Sequence, residues 1–539
     1  TMSNAPLSGI RVVDLARFLA GPWAGQLLAD LGADVIKVES PGNGDDTRGW
    51  GPPFVTGADG SQLSAAYYHA TNRGKRSIAI DFSTPEGAAT VRRLVATADV
   101  LIENFKVGGL KKYGLDYASL KAENPKLVYC SITGFGQDGP YAARAGYDFI
   151  VQGMAGLMSI TGAADGEPQK VGVAVTDIFT GLYSVIAIQA ALRHAEATGE
   201  GQHIDMALFD AQMGVLANQN LNYLVSGRAP PRMGNAHPNI SPYEVLPVAD
   251  GHFILAVGND GQFRKFAAIV GLDALADDPD FATNAARESN RDRLRPLMVE
   301  KLAAWQRADL LAALEKAGVP ASPINTIADA FADPQAIHRG MRLDLSDGHG
   351  NTIPSVRTPI VLSATPLAYE RPSPRLGEHP GESYLAVLDA LHDSPIRTIV
   401  CRQEGGAAMM ADCHGRLTGR PGICFVTRGP GATNASAGVH ISRQDSVPMI
   451  LFVGQIARGI REREAFQEVD YRAFFGSMAK WVTEIDDAAR IPEIVARAFA
   501  VATSGRPGPV VIALPEDMLT DEADAPAALP FTPVETAPG

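Results

Sequence analysis

The chain opens with an apolar run at Gly9–Leu15, a polar break, a helix-length apolar stretch over Pro22–Leu31, and a second short run at Asp34–Glu39. Apolar strands alternating with helices predict a parallel sheet covered on both faces. The alternation continues with a helix at Pro85–Ala96 and a strand at Val100–Glu103. A strand at Leu127–Ile132 then leads into GFGQDGP. A long apolar helix is predicted over Ile178–His194, with Asp177 immediately before it, and Gly201–Phe209 reads as the next strand.

The pattern changes after residue 220. Residues 226–245 are rich in Pro, Gly and Asn and read as an extended crossing segment. Strand Phe253–Val257, helix Gln262–Val270 and helices within Arg291–Ala304 and Ala308–Ala317 form a smaller domain. Residues 325–376 return to strand and loop. A new α/β pattern starts near 380. It runs strand Arg397–Cys401, helix Gly405–Leu417, strand Gly422–Thr427, loop 428–434, helix Ala435–Arg443, and strands Pro448–Val453 and Val510–Leu514. The tail from Thr520, rich in Ala, Pro and acidic residues, reads as linker.

Composition narrows the classes. A formal charge of −13 over 539 residues argues against a general binder of nucleic acid or anionic membrane. Apolar stretches such as 178–192 are expected to fall short of a membrane span, and the opening residues lack a basic, then apolar, signal segment. Four cysteines without CxxC or zinc spacing predict reduced thiols and a cytoplasmic setting, with no metal site. By local pattern, Asp177 is an N-cap: an Asp before an apolar helix ordinarily is. A helix start also stabilises a reacting carboxylate. The strand, loop, helix and strand ending at Glu39 suggest a dinucleotide-binding unit. However, AGPWAG (20–25) lacks the glycine spacing that unit needs.

Seven segments together resemble family III CoA-transferases. These are residues 6–50, NRGKRSIAIDF (72–82), ENFKVGGLKKYGLDY (103–117), GFGQDGPYAARAGYDF (134–149), VAVTDIFTGLYS (173–184), GNDGQF (258–263) and LGEH (376–379). The resemblance implies a Rossmann-like large domain (1–220 and 325–380) with an inserted smaller α+β domain (221–324). It also implies an interlocked homodimer, an acyl-CoA donor and a carboxylate acceptor. Asp177 falls on the family's nucleophile, which carries CoA between acids through an aspartyl anhydride and an aspartyl-CoA thioester. CoA contacts are expected at Ala20, Asn104, Phe105, Lys106, Lys112 and Tyr147. Lys112 stands in place of a family arginine, and so does Ser40; Lys106, Lys75 and Arg76 are candidate replacements. Related 2-methylacyl-CoA racemases carry a histidine at the position of Tyr147. A tyrosine phenol ionises near pH ~10 and serves poorly as a proton shuttle, which favours transfer over racemisation.

Residues 380–440, 465–481 and 505–519 resemble the pyrimidine-binding domain of acetolactate-synthase-like thiamine-diphosphate enzymes. The resemblance places a truncated α/β domain at 381–520, a tail at 521–539, and cofactor contacts at Glu404 and Gln467. The family's diphosphate- and magnesium-binding domain has no counterpart segment here, so thiamine diphosphate is not expected as a cofactor. A non-catalytic fusion with a vestigial thiamine domain is the alternative reading.

Overall fold

The computed structural model describes residues 5–347, 350–377, 387, 394, 396–399, 401, 403–463, 468–521 and 523–524. The chain divides into two compact units. One comprises Thr1–Val35, Asp45–Lys75 and Leu94–Ser373; the other comprises Ile36–Gly44, Arg76–Arg93 and Pro374–Gly539.

In the first unit, strands β1 (Arg11–Asp14), β2 (Val100–Glu103), β3 (Val128–Thr133) and β4 (His203–Ala207) run parallel in that order. Their registers pair Val12 with Val100, Val100 with Val128, and Tyr129 with His203. Helix α1 (Ala20–Asp30) and the long helix α3 (Val175–Thr198) share a core with these strands, through Ala24, Leu28, Ile188 and Leu192. Between β3 and α3 lies the short helix α2 (Asp148–Met154); α4 (Leu208–Gly214) follows β4.

Helix α3 starts at Val175, three residues earlier than the sequence predicts, so Asp177 is the third residue of its first turn and not the cap. The cap position is Ala174, and its side chain caps nothing. At 24 residues α3 also meets the length and composition of a membrane span, contrary to the expectation that no stretch would. Its buried face, which includes Thr180, Ser184, Ile188 and Leu192, packs within this unit.

Two charged pairs are buried beneath the sheet. Lys75 Nζ donates to Asp14 Oδ2, the Pro22 carbonyl and Asn72 Oδ1, each at 2.8 Å, with both charged side chains fully buried. Arg73 grips Asp30 with two nitrogens, at 2.9 and 2.6 Å. Breaking such a pair strands a charge away from water, which is why these residues hold the α1 region rigidly.

Residues 243–323 build a core of their own. Strands β5 (Tyr243–Val248), β6 (Gly251–Ala256) and β7 (Ala321–Pro323) form an antiparallel sheet with β6 in the centre. It packs Phe253 and Leu255 against Phe263, Phe266, Leu294 and Leu310. The sequence pattern indicated β6 and the helices but not β5 or β7.

In the second unit, Asp34–Glu39 pairs in parallel with Arg76–Ala79. Its larger sheet holds β8 (Gly422–Val426), β9 (Met449–Gln455), β10 (Trp481–Glu484) and β11 (Pro509–Pro515), all parallel in the order β8-β9-β11-β10. Alternate residues of β9 enter opposite cores. Met449, Leu451 and Val453 join Ala408 of helix α5 (Glu404–Thr418) and Val439 of α6 (Gly429–Gln444). Ile450 and Phe452 join Ile494 and Ala498 of α7 (Ile491–Thr503). The sheet is therefore covered on both faces, as a parallel sheet requires. Two expectations fail here. Residues 396–399 and 401 are not strand, and 428–434 is not a loop, because α6 begins at Gly429. Pro430 sits in its first turn, where a missing N–H is harmless. Most of the junction, with SYLAVLDAL (383–391), and the tail from 525 lie outside the described residues.

One close crossing delivers α2 to its place. A Cβ at Gly146 would lie 2.3 Å from the Gly134 Cα, and one at Gly134 would lie 2.5 Å from the Gly146 Cα. No side chain fits between these two backbones. Gly146→Ala should therefore destabilise the first unit by about 1–3 kcal/mol. A lowered denaturant midpoint would show this; an unchanged midpoint would mean the crossing yields freely.

Candidate active site

The start of α3 is built from three elements. Asp148, the first residue of α2, points one carboxylate oxygen at it: Oδ1 accepts from the Thr176 N–H at 2.8 Å and the Asp177 N–H at 3.3 Å. Its Oδ2 accepts from Gln152 Nε2 at 2.7 Å, and Gln152 Oε1 accepts from the Val171 N–H at 2.9 Å. From α4, Gln212 Oε1 accepts from Thr176 Oγ1 at 2.6 Å. A helix end leaves its first N–H groups unpaired, and here a carboxylate 29 residues back in the chain satisfies two of them.

Asp177 is only partly open to water. Burial, reinforced by the Asp148 charge, pushes its carboxyl up to about 7. Tyr67 faces the same place. Burial first, then the charges of Asp177, Asp148 and Asp45, push its phenol up to about 12, so it stands as an O–H donor at neutral pH. The Trp50 ring meets Tyr67 edge-on at 5.2 Å and stacks with Phe18 at 5.5 Å. This aromatic run was not singled out from sequence. Its only local signal was a tryptophan beside TRG and a YY pair among polar residues.

Helix α3 approaches α1 closely one turn past Asp177. A Cβ on Gly181 would come within 2.8 Å of the Ala20 carbonyl oxygen and 3.0 Å of the Trp23 ring. This brings Ala20, buried at the first position of α1, beside the helix that carries Asp177. Asn104 clasps the preceding loop. It accepts from the Arg17 N–H at 2.9 Å and donates to the Arg17 carbonyl at 2.6 Å. The exposed Arg17 guanidinium lies over the Phe18 ring at 5.2 Å and the Phe105 ring at 5.5 Å, and pairs with Asp46 at 3.2 Å. The Phe105 N–H is held by Glu103 Oε2 at 2.8 Å; burial pushes the Glu103 carboxyl up to about 7.

Asn104, Phe105 and Arg17 thus form one surface, with Lys106 exposed beside it. Lys112 is exposed and lies over the Tyr113 ring at 4.6 Å. Tyr147 is 59% exposed at the cap of α2, next to Asp148. Lys75 is corrected: a fully buried ammonium bound by Asp14 does not reach a ligand phosphate.

In the second unit, Glu404 opens helix α5, and its Oε2 accepts from Asn434 Nδ2 at 3.1 Å. Gln467 lies outside the described residues. A carboxylate at this place suits a pyrimidine contact. Among the described residues no three side chains come together to hold a metal ion, so the metal-diphosphate half of thiamine diphosphate has no seat in them. We derive no step through that cofactor.

Comparisons with known proteins agree with this geometry. Residues 378–474 match the N-terminal TPP-binding domain of thiamine pyrophosphate enzymes. A succinate–glutarate CoA-transferase of Agrobacterium fabrum is 67% identical over 386 residues, covering 72% of this chain and 96% of the relative. The human succinyl-CoA:glutarate CoA-transferase is 41% identical, covering 69% of this chain and 84% of that protein. A CaiB/BaiF family crystal structure from Brucella suis superposes with a TM-score of 0.64 at 62% identity, covering 72% of this chain and 99% of that one. Residues 7–380 match CoA-transferase family III, and the chain belongs to that family.

Proposed function

We propose that this protein moves CoA between dicarboxylic acids of the succinate and glutarate class, with Asp177 as the nucleophile. The observation that carries the proposal is a single carboxylate, half withdrawn from water at a helix start and made more basic than usual. The names of the relatives, succinate–glutarate and succinyl-CoA:glutarate transferase, support the substrate class.

The chemistry follows from that side chain. The Asp177 carboxylate attacks the thioester carbonyl of the donor. The C–S bond breaks, leaving an aspartyl anhydride and CoA thiolate. The thiolate attacks the aspartyl carbonyl, releases the donor acid and forms an aspartyl-CoA thioester. The acceptor carboxylate then repeats both steps in reverse, and Asp177 is regenerated with no net proton change. Donor, intermediate and acceptor are all acyl groups, so covalent catalysis divides one exchange into steps of similar energy. Tyr67, as a protonated phenol, is placed to donate to an oxyanion formed beside Asp177. Arg17, Asn104, Phe105 and Lys106, with Ala20, Lys112 and Tyr147, are the proposed CoA contacts.

We also propose that the partner is a second copy of this chain, as the interlocked family dimer implies. Phe149, Ile186, Leu224 and Val225 leave apolar surface uncovered in a single chain, with exposures of 57–83%.

Acid quenching during turnover should leave an acyl or CoA mass on the peptide that contains Asp177. Asp177→Ala should lower exchange between succinyl-CoA and glutarate by roughly a thousandfold or more. Equal exchange by the two proteins would end the proposal.

The raised carboxyl also predicts a stability effect. A native state that binds the Asp177 proton more tightly than the unfolded chain loses stability as pH rises from about 4 through about 7. Asp177→Asn should therefore match the wild type near pH 4. At pH 8 it should exceed the wild type by on the order of 1–2 kcal/mol, allowing for partial contact with water. Denaturant midpoints at the two pH values test this, and a variant no more stable at pH 8 would contradict it.

A further inference from the structure

Two carboxylates compete for one helix end. Asp177, in the first turn of α3, stands where unpaired N–H groups and the helix dipole ordinarily hold a negative charge and make a carboxyl more acidic. Two of those N–H groups, of Thr176 and Asp177 itself, are turned instead onto Asp148 Oδ1. Asp148 is not loosely placed. Its second oxygen is bound by Gln152, a buried side chain whose own carbonyl oxygen is bound by the Val171 N–H. The Gly134–Gly146 crossing sets the backbone just before it.

We propose that Asp148 is a positioning residue for the nucleophile: by taking the N–H groups at the start of α3 and holding a fixed like charge beside Asp177, it keeps the Asp177 carboxylate basic. This rests on the reading of Asp177 as the attacking group. A more basic carboxylate is a stronger nucleophile toward a thioester carbonyl. The same arrangement fixes the backbone that aims it.

The groups facing Asp177 from the packed elements are few. Helix α2 brings Asp148, and the segment Ala66–His69 brings Tyr67, itself under the charges of Asp177, Asp148 and Asp45. Helix α4 brings Gln212, bound by Thr176 Oγ1. Helix α1 brings the Ala20 carbonyl and the Trp23 indole, neither of which titrates. In the first turn of α3 the only acidic residue is Asp177. Asp148 and Tyr67 are thus the ionisable neighbours, and only Asp148 is a carboxylate.

The test is a direct titration of the two carboxyls by 13C NMR of aspartate-labelled full-length protein. Signals are assigned by difference against Asp177→Asn and Asp148→Asn. In the wild type, the Asp177 signal is expected to titrate near 7. The Asp148 signal should show a second inflection at the same pH, the signature of coupled sites. In Asp148→Asn and Asp148→Ser, both neutral groups able to accept a helix N–H, the Asp177 midpoint should fall by roughly one unit or more. Asp148→Glu should restore much of it, and the acid limb of kcat/KM should move with the midpoint.

An Asp177 midpoint unchanged in the neutral variants would overturn the proposal. So would the absence of the second inflection in the wild type, a result that needs no variant to fold. The two readings separate cleanly. A protein with coupled carboxyls that exchanges no CoA refutes the transferase assignment alone. A protein that exchanges CoA with uncoupled carboxyls refutes the role of Asp148 alone.

Discussion

The site depends on which group satisfies the unpaired N–H donors at the start of α3. A 24-residue helix ending bare against the protein would leave orphaned donors in a region with little water. Asp148 meets two of them from outside the helix, and its carboxylate is in turn fixed by Gln152. This chain of bonds sets the rotation of the first turn and therefore the direction of Asp177. Glycines make it sterically possible. Gly181 lets α3 lie against the Ala20 carbonyl, and the Gly134–Gly146 crossing lets the segment before α2 pass over the exit of β3. Larger residues at these places would move the helix or the carboxylate that caps it.

Local pattern read the elements well where burial is uniform. Asp34–Glu39, Val100–Glu103 and Pro85–Ala96 have the predicted limits, because continuous apolar strands and a strongly two-faced helix declare themselves within a few residues. It misplaced the start of α3 for a physical reason. A cap supplied by Asp148 leaves no Ser, Thr, Asp or Asn signal at Ala174, and the nearest acidic residue, Asp177, imitated one. Lys75 shows the same limitation. Its partner Asp14 lies 61 residues away, so nothing nearby distinguishes a buried ammonium from a solvated one. Tyr67 and Trp50 were invisible as site residues because their meaning comes from what they face, not from their neighbours in the chain. Asp177 itself was legible only through the resemblance of its segment to a family.

The second unit shows why a sheet can be read without its function. Alternation along β9 sends side chains to two cores, and that pattern needs no cofactor to persist. Strand β8 behaves differently: Cys424 and Val426 are buried, while Ile423 and Phe425 are 49% and 40% exposed. A parallel strand inside a complete sheet buries both faces. Its half-open pattern matches an outer position in the sheet order, next to β9 alone.

Burying charge is the recurrent device of the first unit, used in two opposite senses. Lys75 with Asp14 and Arg73 with Asp30 are matched pairs, in which each charge is met by its opposite and by further hydrogen bonds. Removing one member would leave the other uncompensated, a loss of about 3–5 kcal/mol in such settings. Asp177 and Asp148 are a mismatched pair: like charges share one helix end, and the strain falls on the less well bonded of the two. The matched pairs give the α1 region the rigidity that keeps Ala20 and Trp23 against α3. That rigidity in turn keeps Asp177 from relaxing away from Asp148 into water. A looser frame would let the two carboxylates part, and the nucleophile would return to ordinary acidity.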